Sequence, residues 1–170
     1  MQTLDIPQAN ALETVRTVLR AVHLGARSIE DIANFTAYSG RHVQYRIHAA
    51  RILGLAQLER DLVFLTTVGE QLMESERRSD QERDIFFKAI QACPVIQIVA
   101  PDLLSDRPPT VEELSERIFQ QSKLSHTTAE RRAGGLMTWR QYVLNRKLPG
   151  KKSGPAHTKK TRKPVQLSLF

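Results

Sequence analysis

The chain has 170 residues and a mass of 19.3 kDa, with 41% hydrophobic residues, enough for one ordinary domain or two small ones with a buried core. A single cysteine, Cys93, excludes an internal disulfide and a thiolate zinc cluster, and no apolar run is long enough to span a membrane, so the expectation is a soluble protein of the reducing cytosol without a signal peptide. The formal net charge is +7, but all 18 acidic residues precede Asn145 while eight of the 25 Lys and Arg follow it, which leaves residues 1–144 near neutral and concentrates the excess on a basic tail.

In chain order, residues 9–24 predict an amphipathic helix with Leu12, Val15, Val18, Leu19 and Val22 on one face, ended by Gly25. Ser28 opens a second helix with Asp31 at the third position, close to a capping box. Tyr38-Ser39-Gly40 breaks it, and Ser39 caps a third helix, 40–53, with Val43, Ile47, Ala50 and Leu53 inward. After Gly54 the period changes to two. Leu55 to Glu59 and Leu62 to Thr66 predict a hairpin with Arg60-Asp61 at its tip, and 66–73 returns to helix.

Helix, helix, turn, helix and a two-stranded wing is the order of a winged helix-turn-helix. The run Leu65-Thr66-x-x-Gly69-Glu70-x-Leu72 after the wing resembles many bacterial members of that family. The resemblance covers about residues 9–75 and implies a DNA-binding body. Its groove-reading face is the polar side of the third helix, Arg41, His42, Gln44, Tyr45, His48 and Arg51, where Arg and Gln suit bidentate contacts to guanine and adenine edges. Arg46 or the wing-tip Arg60 suits phosphate. The alternative is a solvated helix face in a winged helix that binds protein.

Residues 74–81 are charged and predict an exposed turn or helix extension. Asp84 to Cys93 predicts a buried helix interrupted by Pro94, and Val95 to Ala100 is apolar enough to be buried as helix or strand. A loop follows from Asp102 to Pro109. Thr110-Val111-Glu112-Glu113 then repeats the earlier capping pattern, and Ser125 opens a helix with Arg131-Arg132 at the offsets that Tyr45-Arg46 hold from Ser39. Two divergent helix-turn-helix units, or a helical cap completing one domain, both fit. The run from Ser125 to Trp139 resembles a pattern of small helical domains in bacterial restriction and defence proteins. Arg131 and Arg132 are candidate DNA contacts, or partners of Glu112, Glu113 or Glu116; Trp139 reads as core, near Met137 or Tyr142.

Beyond Leu148 the composition is Pro, Gly, Lys, Ser and Thr without periodicity, which predicts a disordered linker. Its Lys151, Lys152, Lys159, Lys160, Arg162 and Lys163 are candidate phosphate contacts. The final five residues, Gln166-Leu167-Ser168-Leu169-Phe170, resemble the motif by which bacterial polymerases, mismatch-repair proteins and some plasmid initiators dock on the DNA sliding clamp. The resemblance implies Gln166 in a polar subsite, Leu167 in a first apolar pocket, Ser168 as spacer, and Leu169 with Phe170 in a deeper pocket. Three large apolar side chains in a polar segment are costly to expose unless a partner covers them.

Nothing points to catalysis, a metal or a cofactor. His23, His42, His48, His126 and His157 lack metal-ligand spacing, no Gly-rich phosphate loop or nuclease trio is present, and Cys93 lies in an apolar run that favours an inert thiol. The expected fold is mainly α: a winged helix-turn-helix over 1–78, a second small helical unit resembling a helix-turn-helix over 79–146, a disordered basic linker over 147–165 and the clamp peptide over 166–170. The expected function is that of a non-enzymatic, nucleoid-associated bacterial protein that couples a DNA binder to the sliding clamp in replication, repair, a mobile element or defence. The alternatives are a transcriptional regulator of a restriction or defence locus and a module that delivers a partner enzyme to the clamp.

Overall fold

In the computed structural model the described residues are 6–145, and they form a mainly helical body with one small sheet. The linker at 147–165 and the peptide at 166–170 lie outside the described residues. The order is α1 (Leu12–His23), α2 (Ile29–Thr36), α3 (Gly40–Ile52), β1 (Ala56–Glu59), β2 (Leu62–Leu65), α4 (Thr67–Glu74), α5 (Asp80–Ala92), α6 (Pro94–Val99), α7 (Val111–Gln121) and α8 (His126–Val143). One continuous hydrophobic cluster runs from Ile6 through α1, α3, α5 and α6 to Val143.

The capping chemistry forms as the residue types dictate. Ser28 accepts from the Asp31 amide while Asp31 accepts from the Ser28 amide, and Thr110 and Glu113 make the same reciprocal pair at α7. Ser39 and Ser125 cap α3 and α8. β1 and β2 pair antiparallel, Ala56 opposite Leu65 and Glu59 opposite Leu62, and the Val63 amide reaches back to the Arg27 carbonyl at 2.9 Å. Thr66 caps α4 and also donates to the Gly54 carbonyl. A Cβ on Gly69 would stand 2.1 Å from the Leu55 carbonyl oxygen, so only glycine lets α4 lie against the backbone entering the hairpin.

Two element boundaries differ from the predicted ones, one for a tertiary reason and one for a local cap. α1 starts at Leu12 rather than residue 9, because Ala11 is extended and the Ala9 carbonyl accepts from the Trp139 indole at 3.0 Å. α5 starts at Asp80 rather than Asp84, because Ser79 accepts from the Glu82 amide and opens the helix a turn earlier. The charged stretch before it is not wholly exposed, since Ser75 is buried. The run after Pro94 is helix, with proline at the first helical position, where its missing N–H costs nothing.

Inside the body a charged cluster joins the N-terminal helices to the C-terminal ones. Arg16 of α1 donates through Nε to Glu82 Oε2 at 2.5 Å and through Nη2 to the Ser75 carbonyl at 2.7 Å. The Tyr142 hydroxyl of α8 donates to Glu82 Oε1, and the Arg78 amide to Glu82 Oε2. Glu82 has no exposed surface and Arg16 is 9% exposed. Burial, and then the bond to Glu82, push the Tyr142 phenol well above its ordinary value.

Two outcomes follow from this cluster. Glu82→Ala strands a buried guanidinium and should cost about 3–5 kcal/mol in urea unfolding, most of it recovered in Arg16→Met/Glu82→Leu, where no charge is left behind. Tyr142 keeps its proton in the folded state above the pH, about 10, at which an unfolded tyrosine loses it. Its contribution is therefore complete below about pH 10 and lost as pH rises beyond it. A tyrosinate absorbance titration, wild type minus Tyr142→Phe, should show one phenol ionising late; ionisation near pH 10 would contradict the assignment.

Candidate nucleic-acid interface

α3 is amphipathic in an unusual way. Val43, Ile47 and Ala50 face the core, while the remaining surface carries three arginines, two histidines, a glutamine and a tyrosine with no acidic residue anywhere in the helix. Arg41, His42, Gln44 and Arg51 are exposed, and Tyr45, Arg46 and His48 half-buried.

The N-terminal half of this face is a cation–aromatic array. The Arg41 guanidinium lies 5.5 Å from the Tyr45 ring centre and donates through Nε to its hydroxyl, and the His42 ring lies 6.4 Å from the Tyr45 ring between centres. Arg46 lies 4.6 Å from the Tyr38 ring and donates to the His42 carbonyl at 2.9 Å, which holds it along the helix rather than out in solvent. The turn before α3 presents Tyr38 because Ala37 is left-handed, at φ 58.

α8 joins this half. Arg132 is close enough to Tyr45 to feel its hydroxyl, although burial, and secondarily Arg131, lower the proton affinity of its guanidinium. Arg132 donates to the Ile6 carbonyl at 2.6 Å and Arg131 to Thr128 Oγ1 at 3.4 Å. Neither pairs with Glu112, Glu113 or Glu116 among the described residues: Glu113 closes its capping box and Glu116 holds Gln120. Arg131 thus stays exposed next to Arg132, which ties down the N-terminal segment.

The rest of the sequence-predicted set lies elsewhere. His48 and Arg51, on the C-terminal half of α3, line a groove against α6. Arg60 sits at the hairpin tip, where both it and Asp61 have positive φ, at 50° and 64°. That is the geometry of a tight two-residue hairpin, usually made by Asn-Gly. Lys151, Lys152, Lys159, Lys160, Arg162, Lys163 and the five residues Gln166, Leu167, Ser168, Leu169 and Phe170 lie outside the described residues.

Sequence reasoning missed the Arg46–Tyr38 stack, since the two side chains belong to different elements. It also missed the groove, because Ile98 sits in a run that reads as uniformly buried but is 59% exposed. Trp139 is fully buried, and Cys93 is buried with its thiol pushed up by desolvation. Among the described residues no three His, Cys, Asp or Glu come together as a metal site, and no helix is long and apolar enough to cross a membrane.

A family model described as a domain of unknown function, DUF7226, matches residues 15–147, and the chain belongs to that family. The match runs from within α1 through α8, so the α3 array and the α7–α8 pair fall inside one family region. No curated protein and no solved structure matches the chain.

The left-handed Ala37 supplies a test of this turn. Ala37→Gly removes the Cβ strain without touching a buried contact, and should stabilise the protein by about 0.5–1 kcal/mol in thermal or urea unfolding. A neutral or destabilising result would mean that Ala37 is not left-handed in solution.

Proposed function

We propose that this chain is a non-catalytic DNA-associated protein, in which α1, α2, α3 and the β1–β2 hairpin act as a winged helix-turn-helix and Gln166 to Phe170 dock on the bacterial sliding clamp. The observation that carries the DNA part is the acid-free surface of α3. Arg41 and Arg51 are exposed there with no carboxylate partner among the described residues, on a body whose net charge is close to zero. Cations left unpaired along an acid-free helix suit a polyanion.

In this reading the N-terminal half of α3 enters the major groove. Arg41 and Gln44 approach base edges, and Tyr45 orients Arg41 through the ring contact and hydrogen bond described above. Arg46, Arg60 and Arg131 lie toward phosphates, which fix register without reading sequence. The clamp part rests on the residue pattern at 166–170. Burial of Leu167, Leu169 and Phe170 in clamp pockets contributes roughly 1.5–3 kcal/mol each before ordering costs, which corresponds to about micromolar affinity and a transient contact.

In this reading the roughly twenty residues between the two parts would act as a flexible coil reaching about 25 Å root-mean-square, so that each contact would raise the local concentration for the other. The basic residues from Lys151 to Lys163 would follow the phosphates beside the ring. The consequence is recruitment: the body is delivered to sites of active synthesis or repair, or competes there with other clamp clients.

Two measurements separate the parts. Duplex binding by fluorescence anisotropy should weaken steeply with salt, and Arg41→Ala/Gln44→Ala should weaken it about tenfold or more at fixed salt. Removal of residues 166–170 should abolish clamp pull-down and leave duplex affinity unchanged. A double variant that binds duplex like the parent refutes the α3 assignment, and undiminished pull-down refutes the clamp assignment.

A further inference from the structure

The C-terminal half of α3 has a second neighbour, and the concavity between them has the make-up of a ligand site. His48, Arg51 and Ile52 of α3 face Pro94, Val95 and Ile98 of α6 across a groove of about 670 Å³ that ends at Gln121 of α7. Its walls are mostly apolar, with a guanidinium, an imidazole and one amide as the polar groups, and no Asp or Glu lines it among the described residues. Pockets of roughly 300–1,000 Å³ with apolar walls and a few convergent polar groups are the usual form of small-molecule sites. The isoleucine on its wall, Ile98, is left 59% exposed by the protein's own packing.

Charge selects the ligand class. Arg51 is exposed and makes no ion pair among the described residues, so the groove is one-sidedly cationic where α3 borders it. A planar guanidinium matches a carboxylate in two parallel hydrogen bonds. Ile52, Val95 and Ile98 suit a hydrocarbon body next to that head. We infer that the groove between α3 and α6 binds a small apolar carboxylate, with Arg51 holding the head group and Ile98 covering the chain.

The site does not depend on the reading of α3 as a DNA-facing helix, and its test contains no DNA. Isothermal titration of the full chain uses three probes: octanoate below its micelle concentration, octanol as the uncharged match, and acetate as the head group alone. Octanoate should fill one saturable site, with octanol and acetate each about tenfold weaker or more. Arg51→Met should lower octanoate affinity about tenfold while leaving octanol unchanged, and Ile98→Ser should weaken both. Both side chains are exposed, so both variants should melt with the parent. The inference fails if octanoate shows no saturable uptake, if octanol binds as tightly as octanoate, or if Arg51→Met binds octanoate like the parent.

Discussion

A carboxylate without exposed surface is tolerable only when its charge is met, and Glu82 is met from three directions. The Arg16 side chain arrives from α1, the Arg78 amide from the turn before α5, and the Tyr142 hydroxyl from α8. The charges cost several kcal/mol each to bury, and hydrophobic substitutes of similar volume would recover most of the stability that the cluster supplies. The cluster imposes geometry instead. Each of its bonds has a direction, so α1, α5 and α8 meet in one relative position, and the Ser75 carbonyl that completes the Arg16 shell fixes the turn leaving α4.

A second tie makes the same connection from the other side. The segment Ile6 to Asn10 crosses α8: its carbonyls accept from Arg132 and the Trp139 indole, and Asn10 passes so near Gly135 that a Cβ there would lie 3.2 Å from its side-chain oxygen. A glycine inside a long helix is unfavourable by about 1 kcal/mol relative to alanine, and close passage of this strap accounts for Gly135. With α1 bound to α5 and α8 by Glu82, and the strap bound to α8, the relation between α3 and α8 is set from two sides. The proximity of Tyr45 to Arg132 is a product of both.

Local chemistry explains why much of the fold could be read before it was seen. The two capping boxes, the serine caps of α3 and α8 and the change to period two after Gly54 depend on residues within one turn of each other. What escaped depends on partners far along the chain. Glu82 looks like one more acid in a charged turn until Arg16, 66 residues earlier, comes beside it. Arg132 reads as a basic surface residue, yet it is half-buried and donates to the Ile6 carbonyl of the N-terminal strap, 126 residues away. Of the candidate interface, the polar face of α3 was legible from helical spacing. Its division into an array beside α8 and a groove beside α6 was not, because no pattern within α3 encodes what lies on either flank.

That division bears on the main argument against polyanion binding, which is the near-zero charge of residues 1–144. A sum hides a distribution. α3 has three arginines and no acid, whereas α7 has three glutamates, two of them in its first turn, where they offset the helix dipole. α5 adds Asp80, Glu82 and Asp84, of which only Glu82 is spent on the core. Beyond about 10 Å, exposed charges are largely screened at physiological salt, so a ligand meeting α3 responds to the groups within that distance rather than to the total. Among charged groups α3 itself contributes only arginines there, Arg41, Arg46 and Arg51, and Arg132 of α8 comes close enough to Tyr45 to act on the same helix.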